Sequence, residues 1–367
     1  MSRSETVQKR RPARLKLSIL LPLLLLGALS GVLLARLEDT GAIQIRPGAV
    51  VVAASLGLFL QILVHEAGHV LAGLGSGLRL VTMAVGPLRY ESGRGLRWRR
   101  SPLLGFAYLM PPAGMALPQI TASFRRMVMG GPAAGFAFSV LCAGLALASP
   151  DHEFRTFWWV TALLGAVINL LSVVPMVGGG LLNDGARYRR LRPGAPQAGA
   201  EAALIALIAA ARAQRPRDWP AELMAAALQP HDAPTFDASA RSLAAAQAID
   251  TGDLERAAEL QRQASELIGG LAPALRASFT AEEVYLSALR GQASEARAHF
   301  DRLPRNALMS QVMRLRVEAA VLLAEGRRDE AQAALNRARL DLTSPLASRG
   351  IEAAWLDELE ARLGVPV

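Results

Sequence analysis

Four stretches of this 367-residue chain are apolar and long enough to cross a lipid bilayer as helices. A hydrocarbon core of about 30 Å takes roughly 20 helical residues, and the stretches cover residues 17–35, 49–78, 127–150 and 156–183. The first can also be read as a signal peptide, because residues 1–16 are basic, but its length and the lack of a cleavage site favour a retained helix. Only 19% of the residues are charged, too few to coat a soluble chain of this length. The sequence therefore predicts an all-α polytopic membrane protein.

The position of the basic residues predicts how these helices are oriented. A net charge of +9 can indicate nucleic-acid binding. Here the arginines lie beside the apolar stretches, so we expect the protein to contact a membrane and not nucleic acid. They are dense in residues 1–16, 79–126 and 187–192 and sparse in residues 37–48 and 151–155. Because basic loops stay in the cytoplasm, both termini are expected there. Lysine is nearly absent, which is typical of GC-rich bacterial genomes and suggests the bacterial inner membrane.

The second apolar stretch contains the segment His65-Glu66-Ala67-Gly68-His69. Histidines at positions i and i+4 lie on one face of a helix and can bind one zinc ion, while the neighbouring glutamate can act as general base toward water. A chance match is the alternative. It is a poor explanation inside a membrane helix, where ionisable side chains are costly and usually functional. The motif therefore predicts a catalytic zinc site with one ion per chain.

A catalytic zinc site needs a third protein ligand, and two residues lie at a suitable depth. Asn169 falls in the fourth apolar stretch, and Asp184 follows it after Pro175 and a run of glycines at 178–180 that break the helix. Asp184 is predicted as the third ligand and Asn169 as a catalytic-site residue. The alternatives are a helix N-cap for Asp184 and an interhelical hydrogen bond for Asn169.

The histidine motif followed by an Asn…Pro…Asp-Gly segment resembles the site-2 protease family of intramembrane zinc metallopeptidases. The resemblance covers about residues 50–190 and includes the Gly-Gly-Pro segment at 130–132. It implies that His65, His69 and Asp184 bind zinc, that Glu66 activates water, and that Asn169 orients substrate or steadies the oxyanion. The implied reaction is hydrolysis of a peptide bond in a transmembrane segment of a partner membrane protein.

Two positions depart from that family's pattern. Ser172 stands where the first proline of the family's Asn-x-x-Pro motif is expected, and a glycine-rich insertion then delays Asp184. The family's Gly-Pro-x-x-Asn motif ends here in Gly135, so the function of that asparagine is absent or is supplied elsewhere. Neither departure affects His65 or Glu66.

Between the second and third apolar stretches, residues 80–90 and 106–110 resemble short strands. An ordinary amphipathic cytoplasmic loop is one interpretation. The family resemblance implies instead a small sheet near the active site, whose exposed edge can pair with an unwound substrate by strand addition.

The C-terminal part of the chain has helical periodicity and no long uncharged stretch. Gly252, Gly291 and Gly326 are each followed five residues later by alanine, at intervals of 39 and 35 residues. This resembles a divergent tetratricopeptide array, with chance spacing in an alanine-rich bundle as the alternative. Stacked helical repeats bind peptides or proteins, so a cytoplasmic protein partner is expected.

Together these features predict a transmembrane metallopeptidase domain over residues 17–190, a linker at 191–200 and a cytoplasmic helical domain over 201–367. A membrane scaffold with a degenerate metal site is the first alternative. A transporter that uses the histidine motif as a proton or metal relay is the second, although many transporters show two related halves and this chain does not.

Overall fold

The computed structural model describes residues 31–33, 35–41, 43, 47–98, 104–178, 181–271, 273–304, 309–342 and 348–364. The protein is about 71% helical, and its described residues also form two small antiparallel sheets, one of four strands and one of two. The predicted helical class is thus confirmed at this coarse level. The first predicted apolar helix, residues 17–35, lies almost wholly outside the described part of the chain.

Three described helices are long and apolar enough to cross a membrane: α1 (Pro47–Leu74), α2 (Leu117–Ala148) and α3 (His152–Val173). Helix α3 ends ten residues before the predicted stretch does, because Pro175 lacks the N–H that a continuing helix needs and disfavours a helical residue before it. Insertion of the three helices in a bilayer stays a prediction.

The described chain divides into two compact units. One contains residues up to Leu58 together with Phe138–Ile168, and the other contains Phe59–Ala137 and Asn169–Val367. In the first unit, Gly57 lets α1 and α3 approach closely, since a Cβ there would lie 2.5 Å from Thr161 Oγ1. Every predicted site residue belongs to the second unit.

The two strand-like runs are strands of a four-stranded antiparallel sheet, so the interpretation as an ordinary loop is wrong. Strands β1 (Arg79–Val85), β2 (Leu88–Glu91), β3 (Gly95–Trp98) and β4 (Gly105–Met110) are arranged in the order β3-β2-β1-β4. Within the described residues β4 pairs with β1 alone, which leaves the other side of β4 as an edge.

Four short elements follow α3 and lead into the helical domain. They are β5 (Val177–Gly178), β6 (Leu181–Leu182), α4 (Asp184–Arg190) and α5 (Ala198–Ala210). Apart from Glu201, helix α5 is apolar on all sides, because two different cores bury it. Ile205 packs in a core with residues of α2, whereas Leu207 packs in the core of the C-terminal helices.

The C-terminal helices form three helix pairs followed by one closing helix. After a 3₁₀ turn (Pro216–Asp218) and α6 (Ala221–Ala227), they are α7 (Pro234–Asp250), α8 (Leu254–Leu267), α9 (Pro273–Leu289), α10 (Ala293–Asp301), α11 (Gln311–Ala324), α12 (Arg328–Asp341) and α13 (Arg349–Gly364).

The glycines of the repeated sequence pattern end the first helix of each pair. Gly252, Gly291 and Gly326 have φ angles of 86°, 78° and 76°, a left-handed conformation that costs glycine little. In each turn the N–H of the next residue donates to a carbonyl five residues earlier at 2.9 Å, as in a Schellman motif. The alanines of the pattern are fully buried: Ala257, Ala296 and Ala331. The sequence pattern therefore corresponds to a repeated structural unit.

A buried charged cluster lies between α9, α11 and α13. Arg316 is fully buried and bonds to Glu282 and Glu352, each at 2.8 Å. The aromatic rings of Tyr285 and Trp355 lie 4.3 and 4.2 Å from its guanidinium carbon. Burial raises the pKa of Glu282 to about 7, although Arg316 opposes that shift.

Candidate metal centre

Three side chains that the sequence predicted as metal ligands come together at one point. His65 Nε2 lies 3.2 Å from His69 Nε2 and 3.2 Å from Asp184 Oδ2. His69 Nε2 lies 3.5 Å from Asp184 Oδ1. The two histidines are one turn apart on α1, and Asp184 is the first residue of α4, 115 positions beyond His69. The fold therefore joins two distant segments into one cluster that can hold a metal ion.

The spacing around His65 Nε2 fits a tetrahedral metal ion. Zinc bonds to histidine nitrogen and carboxylate oxygen at about 2.0–2.2 Å, and tetrahedral angles then separate neighbouring ligand atoms by about 3.4 Å. The 3.2 Å separations of His65 Nε2 from His69 Nε2 and from Asp184 Oδ2 are close to that value. His69 Nε2 approaches the other carboxylate oxygen, Oδ1, at 3.5 Å. Two imidazoles and one carboxylate also form the donor set of a catalytic zinc site with one open position. The residues present therefore fit zinc.

Each histidine is oriented by a second contact on its other ring nitrogen. His65 Nδ1 lies 2.8 Å from Asn169 Oδ1, and His69 Nδ1 lies 2.8 Å from the carbonyl oxygen of Met127. When Nδ1 donates to these oxygens, the neutral tautomer leaves Nε2 with a free lone pair for a metal. Asn169, which is fully buried, thus makes the interhelical hydrogen bond considered as an alternative, and it makes that bond to a site histidine.

Asp184 is held by contacts that the sequence analysis did not anticipate. The hydroxyl of Ser172 donates a hydrogen bond to Asp184 Oδ2, so the residue in place of the expected proline supports the carboxylate. Burial alone would raise the pKa of Asp184. The neighbouring imidazoles of His65 and His69 and the hydrogen bond from Ser172 outweigh burial and hold this pKa well below its usual range. The carboxyl group is therefore ionised, which is the form that binds a cation.

The residues on either side of Asp184 fix the backbone of this segment. Asn183 is the N-cap of α4, because its side-chain oxygen accepts from Ala186 N at 3.0 Å; the alternative of Asp184 as N-cap is therefore wrong. The Asn183 amide also donates to the carbonyl of Leu171 at 2.7 Å. A side chain at Gly185 would overlap the carbonyl of Val173. The segment Asn-Asp-Gly thus locks Asp184 against the end of α3.

Glycines on α2 provide room for the site. A Cβ at Gly131 would lie 2.5 Å from His69 Cε1, and one at Gly135 would lie 2.5 Å from Asn169 Cγ. Gly130 lets α2 approach the backbone of α1 at Gly68. Gly135, the departure from the family pattern, therefore leaves space for Asn169 itself.

Glu66 lies beside the sheet edge. It is 8% exposed, and a Cβ at Gly105 in β4 would lie 2.6 Å from its Oε1. Strand β4, whose second side has no strand partner among the described residues, thus begins next to the carboxylate that the motif predicts as general base. The sequence carried no signal that would have located Gly105 here, because the contact depends on the path of the sheet.

The arrangement brings together every residue that the sequence predicted for the site, with Asn169 contacting His65. It adds Met127, Ser172 and Asn183 as supporting residues. A polar residue directly before Asp-Gly is a possible helix-cap signal, whereas the Met127 carbonyl has no sequence signature at all. No family model, curated protein or solved structure matches the chain.

Proposed function

We propose that the protein is a zinc-dependent intramembrane endopeptidase of the site-2 protease type. The observation that carries the proposal is the convergence of His65, His69 and Asp184, whose potential ligand atoms lie within 4.8 Å of one another, with Glu66 in the same helix turn. Three apolar helices of spanning length support a membrane location.

The chemistry divides between the ion and the side chains. When bound, zinc polarises the scissile carbonyl and lowers the pKa of a water molecule toward about 7. Glu66 takes a proton from water as the oxygen attacks the carbonyl carbon, and it then gives that proton to the departing amine. The peptide bond breaks into a carboxylic acid and an amine, so no further reactant is needed.

Asn169 supports this reaction as a positioning residue. Its side-chain oxygen is engaged with His65, where it fixes the ring orientation. Loss of such outer contacts at metal sites commonly lowers affinity or activity by about 10- to 100-fold. We therefore assign Asn169 to holding His65, in place of the substrate-orienting or oxyanion role that the resemblance implied.

The edge of β4 is the proposed place where substrate binds. A helical segment shields its own peptide carbonyls, so a transmembrane substrate must unwind before it is cut. An extended segment can add to an open sheet edge through main-chain hydrogen bonds, which makes few demands on sequence. Because β4 begins beside Glu66, a segment paired there lies next to the proposed base.

The cellular setting is also part of the proposal. The arginine pattern supports the bacterial inner membrane with both termini in the cytoplasm. The helix pairs of the C-terminal domain, which resemble tetratricopeptide repeats, then face the cytoplasm and bind a protein partner.

Replacement of Glu66 by Gln tests the reaction. The wild type and Glu66→Gln should each carry about one zinc per chain, while only the wild type generates new peptide ends inside transmembrane segments of membrane proteins from the same cells. Glu222→Gln is the matched control, since Glu222 is exposed on α6 and the chemical change is identical.

Two results would contradict the proposal. A purified wild type that is free of zinc after careful handling would remove the metal site. The same peptide ends from wild type and Glu66→Gln, with zinc bound in both, would favour the alternative of a membrane scaffold with a degenerate metal site.

A further inference from the structure

The short helix that begins with Asp184 also makes the main polar contact with the helical domain. Helix α4 contains only seven residues, and Arg187 and Arg190 lie on its last turn. Arg187 Nε donates to Glu201 Oε1 at 3.0 Å, and Arg190 Nε donates to Glu201 Oε2 at 3.3 Å. Glu201 belongs to α5, so two arginines about one and two turns from the metal ligand are tied to the next helix.

Glu201 is almost completely removed from solvent, at 1% exposed. A buried carboxylate is stable only when it is paired, and removing one partner of a buried ion pair is strongly destabilising. Both oxygens of Glu201 have an arginine partner. The interaction therefore fixes the angle and distance between α4 and α5 more tightly than an exposed ion pair would.

Aromatic rings from two sides complete this contact. The guanidinium carbons of Arg187 and Arg190 lie 5.7 and 5.5 Å from the ring centre of Phe236, in the first helix of the repeats. The Arg187 guanidinium also lies 5.5 Å from the ring of Phe124 on α2. Helix α4 is thus held between the helix that carries Met127 and the start of the helical domain.

Helix α5 also connects α2 with the helical domain, through apolar packing. Ala202 and Ile205 lie in one core with Met127, whose carbonyl orients His69, and with Leu191 at the end of α4. The opposite side of α5 lies in the core of the helical domain. A shift of α5 therefore acts on Asp184 through α4 and on His69 through Met127.

We propose that Glu201, with Arg187 and Arg190, forms a clamp through which the helical domain controls the affinity of the metal site. Glu201 is a positioning residue: it contacts neither metal nor substrate, and it sets where Asp184 lies. A protein partner that binds the helical repeats and moves α5 changes metal binding. This inference rests on the proposed metal site and adds its regulation.

The test compares zinc affinity of full-length variants in detergent by competition with a chelator. Glu201→Gln keeps the side-chain size but removes the charge, and it should weaken zinc binding by about tenfold or more. Glu201→Asp, which restores the carboxylate, should recover part of the loss. Glu222→Gln, the same change at an exposed position, should bind zinc like the wild type.

A spectroscopic measurement separates positioning from a general loss of stability. The visible spectrum of the cobalt-loaded chain reports the geometry around the ion, and it should change in Glu201→Gln but not in Glu222→Gln. If Glu201→Gln fails to fold, Phe236→Leu removes the ring beneath both arginines and should weaken zinc binding about threefold, in line with the roughly 0.5–1 kcal/mol of a cation–π contact.

The outcomes separate a failure of the proposed clamp from a failure of the proposed function. Wild-type zinc affinity and an unchanged cobalt spectrum in a folded Glu201→Gln chain would overturn the clamp and leave the metal site intact; if that variant does not fold, the same results for Phe236→Leu would do so. A wild type without zinc would overturn the proposed function itself.

Discussion

Gly131 faces the ring of His69 so closely that one added methyl group tests the geometry of the metal centre. A Cβ at this position would lie 2.5 Å from His69 Cε1, whereas ordinary contact starts at 3.4 Å, so the ring must retreat by about 0.9 Å (3.4 minus 2.5). A zinc–nitrogen bond of about 2.0 Å tolerates deviations of roughly 0.2 Å. We therefore expect Gly131→Ala to remove His69 from the ion.

The expected magnitude follows from losing one of three protein ligands. Weakening an outer-shell contact costs about 10- to 100-fold in affinity, so loss of a ligand itself should cost at least about 100-fold, or roughly 3 kcal/mol. Alanine is otherwise favoured over glycine inside a helix by about 1 kcal/mol. A loss of zinc therefore cannot be attributed to a weaker α2 helix.

Gly144→Ala is the matched control, because Gly144 lies on the same helix and a Cβ there meets no atom within 4 Å. Zinc affinity of both variants is measured by chelator competition, together with the zinc content of the purified chains. Gly144→Ala should match the wild type. If Gly131→Ala also binds zinc at wild-type affinity, then His69 does not bind the ion in the orientation described.

Two further predictions concern Asp184 and the buried charge cluster. Ser172→Ala removes the hydroxyl that donates to Asp184 and should weaken zinc binding about tenfold without abolishing it; an unchanged affinity would mean that this hydrogen bond does not support the ligand. Because the pKa of Glu282 is raised to about 7 in the folded chain, above its ordinary value of 4.5, the unfolded chain releases its proton first as pH rises. Stability should therefore fall by up to about 3 kcal/mol between pH 4.5 and 7. Thermal unfolding followed across this range should show that fall in the wild type and a smaller one in Glu282→Gln, which cannot titrate; equal slopes would contradict the assignment.

The histidine motif is the part of the site that local sequence could predict. His65 and His69 share a helix, and helical geometry alone places them on one face. Asp184 was assigned with help from the family resemblance. Its distance along the sequence from the histidines does not determine where it lies, because the helix before it ends and the chain can turn in any direction. Its approach to the histidines depends on Pro175, which ends α3, and on the Asn183 cap.

The contacts that orient the site residues could not be predicted from local sequence. The Met127 carbonyl orients His69 as a main-chain group, so no residue type marks it. Ser172 appeared only as a departure from a pattern, although its hydroxyl holds the carboxylate. Asn169 was placed at the site correctly, but whether its side chain faces a substrate or a histidine depends on how α3 packs against α1.

The sequence by itself determined the properties that arise from local pattern: apolar helices of spanning length, a histidine pair on one helix face, and glycine turns that repeat along the C-terminal helices. Tertiary structure alone decided which distant groups meet. It brought Asp184 to the histidines, β4 to Glu66, and Glu201 to the arginines of α4. The physical reason is that periodicity specifies which side of a helix is buried, whereas the partner across that buried surface is chosen by packing and charge pairing over the whole fold.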